Sequence, residues 1–108
     1  MDHEEKFRKI IEQYGQYHQE VQAVQELSEL ILLLTARPEQ RIGAYRSRII
    51  DEVADSKIMI NQIMLMHDIS EAEVNSRIRY KIERQMKRIE KESEQNATDT
   101  NVGCKGRG

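Results

Sequence analysis

From about residue 4 to residue 94, apolar side chains recur three and four positions apart, the period of a helix with one buried face. No stretch alternates as a half-buried strand would, so the pattern predicts an all-α chain. A short first helix carries Phe7, Ile10 and Ile11 and stops near Gly15, a residue suited to closing a helix. The second is expected over residues 16–36, with Val21, Val24, Leu27, Ile31 and Leu34 on its buried face. Pro38 and Gly43 bracket a loop at residues 37–43, and a third helix follows over residues 44–67. Ser70 with Glu73 three positions on forms a capping-box start for a fourth, whose apolar seam is Val74, Ile78, Ile82 and Ile89. This organises the chain as one helical domain, residues 1–92, followed by a polar tail, residues 93–108. The tail has too little to bury and is expected to be disordered.

Two polar interruptions of the helical pattern stand out, Glu26-Leu27-Ser28-Glu29 and Glu52-Val53-Ala54-Asp55, separated by 22 residues. A spacing of three places both acids of a pair on one face, about a turn apart. At 100° per residue, Glu26 and Glu29 share a stripe with Gln19, Gln22, Leu30 and Leu33, while Glu52 and Asp55 share theirs with Met59, Gln62, Ile63 and Met66. A lone Glu-x-x-Glu is most often solvated surface. Stripes that turn from acid to aliphatic within a turn are poor candidates for open water, so two such helices side by side would gather four carboxylates in a partly covered place.

Composition narrows what such a cluster could serve. With 108 residues, 33% charged and 38% apolar, one chain supports only a thin core, and an oligomer is expected. A net charge of -2 gives no overall attraction to nucleic acid or an anionic membrane. The single cysteine, Cys104, rules out an intrachain disulfide framework and suits a reducing compartment, so the cytoplasm is the expected location. The longest unbroken apolar run, residues 30–34, is far short of the ~20 residues of a membrane span. Crowded carboxylates repel one another until protons or a cation compensate. All-oxygen ligation favours Mg²⁺, with Mn²⁺ as a substitute. The Glu-x-x-His pairs of di-iron bundles, the His-Glu-x-x-His of zinc enzymes and cysteine clusters are all absent from the sequence.

A basic stripe lies downstream. Arg77, Lys81, Arg84 and Arg88 fall within about 60° of one another on the fourth helix, where they could hold the phosphates of an anionic ligand. Neither a Walker-type nor a dinucleotide-type glycine loop is present.

These residues resemble a known family. The pattern Glu-x-x-Glu, about twenty residues, Glu-x-x-Asp in an all-helical chain of this size looks like the all-α nucleoside triphosphate pyrophosphohydrolases, the MazG-like group, in its short phage and bacterial form. Tyr14-Gly15, Gln19 and Gln25-Glu26-Leu27-Ser28-Glu29-Leu30 are similar to the family's first helices, and Asp51-Glu52-Val53-Ala54-Asp55 to its second motif. Tyr80-Lys81-Ile82-Glu83-Arg84 resembles its later Asn-Lys-x-Glu-Arg stretch, with tyrosine where asparagine is frequent. The likeness covers about residues 10–90.

The resemblance implies a four-helix bundle completed by a second subunit, as a homodimer or dimer of dimers. It also implies Mg²⁺-dependent hydrolysis of a nucleoside triphosphate to the monophosphate and pyrophosphate. Glu26, Glu29, Glu52 and Asp55 would be the metal ligands and catalytic groups, and Lys81, Arg84 and Arg88 the phosphate contacts. Tyr14, Tyr17, His18 and Gln22, near the N-terminal end of the carboxylate stripe, are candidates to contact the base. Two other classes stand beside this reading. One is a non-enzymatic helical interaction or regulatory module. The other, ranked last, is a nucleic-acid binder using the basic stripe, which Glu83, Glu90 and Glu92 interrupt and few aromatics accompany.

Overall fold

A computed structural model of the protein describes residues 1–101, with side chains through Ala97; Cys104 and the rest of 102–108 lie outside the described residues. Among the described residues there are four α-helices, one 3-10 turn and no strand. The backbone forms two compact units, Met1–Ser70 and a second beginning at Glu71. That division falls inside residues 1–92, which are expected from the sequence to form one domain.

In the first unit, α1 spans His3–Tyr14. Asp2 caps it by accepting from the Glu5 N–H at 2.8 Å, and Glu4 and Glu5 place negative charge at the positive end of the helix dipole. Gly15 ends α1 and starts α2 at φ 92°, a left-handed conformation that a side chain would strain. This single-residue joint lets α2, Gln16–Leu34, begin at once. After α2, a 3-10 turn at Pro38–Gln40 leads to α3, Tyr45–Met66. The loop is tied down by side-chain hydrogen bonds to carbonyls at the end of α2 and just beyond it. Arg41 donates to the carbonyls of Ala36 and Leu34 at 2.9 and 3.2 Å, and the Tyr45 hydroxyl donates to that of Leu33 at 2.9 Å.

Helices α2 and α3 make the principal contact of this unit, and α1 packs on both. They run antiparallel, and the buried positions are Gln19, Ala23 and Leu33 on α2 with Ser56, Met59 and Gln62 on α3. The face of α2 expected to be buried is not the one that is. Val21, Val24, Ile31 and Leu34 are exposed, Val24 to 66% and Ile31 to 61%. The C-terminal half of α2 is apolar nearly all round, so its period does not select a face. The contact with α3 selects the stripe of Gln19, Ala23, Glu26, Leu30 and Leu33 instead. Only Ala23, Leu33 and Met59 are buried apolar side chains among the described residues, while Leu32, Ile50, Val53, Ile58 and Ile60 are also exposed.

The second unit contains α4, Glu71–Asn101, which starts directly after Ser70 with Glu71 and Glu73 in its first turn. Its expected seam is solvent-facing at Ile78, Ile82 and Ile89. The expected disorder from residue 93 is not seen over residues 93–101, which belong to α4. Lys91, Glu92, Glu94, Gln95 and Ala97 are strong helix formers, and no glycine or proline interrupts them. Among the described residues no helix is long and apolar enough to cross a membrane.

Candidate functional site

Pairing of α2 with α3 brings the two acidic motifs together. One carboxylate oxygen from each of Glu26, Glu29, Glu52 and Asp55 lies within 4.8 Å of every other. Glu26, Glu52 and Asp55 are half-buried and Glu29 is exposed, so the group is covered on one side and reachable from the other. Across the helix pair the Glu26 carboxyl therefore approaches that of Asp55, and that of Glu29 approaches Glu52, within 4.8 Å. Such contacts are favourable only when a proton or a cation sits between the oxygens.

Ionisation at the centre is correspondingly resisted. The Glu26 pKa is raised above its ordinary value of 4.5, first by burial and then by the charges of Glu29 and Asp55, against a lowering hydrogen bond from Gln22. That of Glu52 is raised by burial, by its contact with Glu29, and by the charges of Glu29, Asp55 and Glu26. Glu26 Oε2 and Glu52 Oε2 are buried with no hydrogen-bond partner, as is the Ser56 hydroxyl. A buried acceptor oxygen without a donor is costly, and two in one acidic cluster suit a hard cation with oxygen ligands. The donor set therefore fits Mg²⁺ or Mn²⁺.

Next to the carboxylates, a polar chain crosses the helix pair. Gln19 Nε2 donates to Gln62 Oε1 at 2.8 Å, with Gln62 only 2% exposed, and His18 Nδ1 lies 2.8 Å from Gln19 Oε1. His67, at the end of α3, pairs with Glu20 at 2.8 Å. Gln19 and Gln62 lie on the acidic stripes of the sequence, whose pattern assigns them no task. Their signal is spacing, since each stands seven residues from the nearer acid, Glu26 or Asp55.

The other expected site residues divide between the units. Tyr14 stacks on His18 with ring centroids 5.2 Å apart, and Tyr17 is exposed. Gln22 donates to Glu26 Oε1 at 3.1 Å, so its amide serves a carboxylate. Lys81, Arg84 and Arg88 lie along α4 in the second unit, where Arg77 and Arg84 rest over the Tyr80 ring at 5.0 and 5.7 Å. The position that resembled a substrate contact thus holds a ring bracketed by two guanidinium groups.

No protein-family model, no curated protein and no solved structure matches this chain.

Proposed function

We propose that the protein is a divalent-cation-dependent nucleoside triphosphate pyrophosphohydrolase, releasing a nucleoside monophosphate and pyrophosphate. The observation that carries this reading is the convergence of Glu26, Glu29, Glu52 and Asp55 within 4.8 Å, with two buried oxygens left without a donor. The choice of bond rests on the MazG-like resemblance of the two acidic motifs and the Lys81–Arg84 stretch.

In this reading the four carboxylates hold Mg²⁺ or Mn²⁺. When bound, the ion would offset the charge of the triphosphate and make a nucleophilic water more acidic. One of the four could instead leave the ion and take the proton of that water as general base. Water forms a new P–O bond as the α–β bridging P–O bond breaks, and the electron pair of the broken bond stays with the departing pyrophosphate. The MazG-like resemblance makes Lys81, Arg84 and Arg88 the expected phosphate contacts. Tyr14, Tyr17 and His18 form an aromatic edge on which a base could stack.

The subunit arrangement belongs to the same proposal. A second copy of the chain, as homodimer or dimer of dimers, would cover Val24, Ile31 and Leu32, which no monomer contact covers and which are all more than 60% exposed. The proposed location is the cytoplasm.

Incubation with a panel of ribo- and deoxyribonucleoside triphosphates plus Mg²⁺, with products separated by chromatography, tests the activity. Monophosphate with pyrophosphate supports it; no turnover by a folded, cation-loaded protein ends it. Diphosphate with free phosphate would place the cut at the other bond. The exposed apolar faces favour a second reading, a non-enzymatic interaction module. Its melting temperature would not respond to Mg²⁺ or Mn²⁺, whereas that of the enzyme would rise.

A further inference from the structure

Gln22 stands one turn before Glu26 on α2, half-buried, and supplies the acidic group with an uncharged donor. Its Nε2 donates to Glu26 Oε1 at 3.1 Å, while Glu26 Oε2 is buried and has no partner. The two oxygens of one carboxylate are therefore inequivalent. One is tied along its own helix and the other is left open in the cluster. Free rotation of the Glu26 carboxylate would exchange them, and the amide opposes that rotation. A lysine or arginine at position 22 could also donate, but it would add a cation beside the place a metal would occupy. A glutamine holds the carboxylate without competing for it.

We propose that Gln22 is a positioning residue, which anchors Glu26 through Oε1 so that Oε2 is the atom offered to the divalent cation. The assignment rests on the cation reading above. It also separates Gln22 from the base contacts to which its place on the stripe had suggested it belongs. Outer partners that orient a metal-binding carboxylate typically change metal affinity by about 10- to 100-fold when removed. A base contact would leave affinity for the cation alone unchanged.

The test is titration of the full chain with Mn²⁺, without nucleotide, following free Mn²⁺ by electron paramagnetic resonance. Melting in EDTA is measured alongside. Gln22→Met keeps the length of the side chain and loses the donor; Gln22→Asn keeps the amide but withdraws it by one methylene. Both are expected to weaken Mn²⁺ binding by about 10-fold or more while melting in EDTA near the wild type. Gln25→Met, at an exposed neighbour, is expected to leave binding unchanged. Wild-type affinity in a folded Gln22→Met or Gln22→Asn protein would overturn the assignment. So would loss of folding in both, which would make Gln22 a packing residue. A wild-type protein that binds no Mn²⁺ would remove the cation reading itself, a distinct result that takes this assignment with it.

Discussion

Gln19 and Gln62 form a buried amide-to-amide hydrogen bond of 2.8 Å between α2 and α3, seven residues from Glu26 on one helix and seven from Asp55 on the other. Polar side chains at the centre of a helix pair have partners in one alignment only. A slip of α3 by a turn would break this bond while leaving both amides buried, and would also separate Glu26 from Asp55. The pair therefore sets the register on which the carboxylate cluster depends.

Loss of one amide should cost more than loss of both. Gln19→Leu or Gln62→Leu leaves the other amide buried without its partner, a penalty of about 1–3 kcal/mol. The double substitution is expected to recover most of that loss, because two apolar side chains can meet at the same place. Urea unfolding of the two single variants and the double variant measures the coupling. Additive losses would mean the bond contributes nothing specific.

Acidification should stabilise the cation-free protein. Glu26 and Glu52 have pKa values raised above 4.5 in the folded state, so the folded chain holds their protons more tightly than the unfolded one. Their contribution is fully present below the unfolded value and is lost as pH rises through the folded values. Melting in EDTA should accordingly rise as pH falls from neutral toward about 5, and the rise should shrink in Glu52→Gln. With Mn²⁺ present the trend should weaken or reverse, since protons and cation compete for the same oxygens. A Glu52→Gln protein with the wild-type profile in EDTA would contradict this.

Neutralising a carboxylate should separate stability from function. Glu29→Gln and Glu52→Gln relieve like-charge repulsion, so both should melt at or above the wild-type temperature in EDTA. They should lose the increment given by saturating Mg²⁺, which is about 2.7 kcal/mol at a hundred times the dissociation constant. Triphosphate turnover should fall on the order of 100-fold or more, the scale of several kcal/mol of lost charge stabilisation. Calorimetry with and without Mg²⁺, paired with the product assay, reads all three.

The exposed face of α2 should behave as an interface. At a truly solvated position, Ile31→Glu or Leu32→Glu would change stability by roughly 0.5 kcal/mol or less. If a second copy covers that face, either substitution should dissociate the assembly and lower the melting temperature at micromolar concentration. Light scattering distinguishes the outcomes, and a wild-type monomer under those conditions would count against the interface.

Much of the architecture was legible because helices announce themselves through period and punctuation. Gly15 marks the end of α1, the loop around Pro38 and Gly43 the end of α2 and start of α3, and Ser70 the start of α4. The acidic stripes were legible too, since Gln19, Leu33, Met59 and Gln62 are buried on the helical faces that carry the carboxylates. The face of α2 that holds Val24 and Ile31 was misread because an all-round apolar helix contains several equivalent periodic faces. Its neighbour decides among them. The extent of α4 escapes the sequence pattern for the opposite reason: beyond residue 92 the helix runs to Asn101 with no apolar periodicity to report it. The partner of Gln22 was hidden because an amide four residues from an acid can turn either to it or away.

The crossing of α2 and α3 leaves a near-palindrome in the sequence. Gln19, six residues, Glu26, two residues, Glu29 is answered by Glu52, two residues, Asp55, six residues, Gln62. The steps of seven and three are fixed by the facing helices, whereas the stretch joining the halves only has to turn the chain around. A mirrored signature with a gap of free length is thus a sharper key to chains of this kind than two acidic motifs at a set distance. The amides at its outer ends would distinguish a registered helix pair from two acidic helices that share only a spacing.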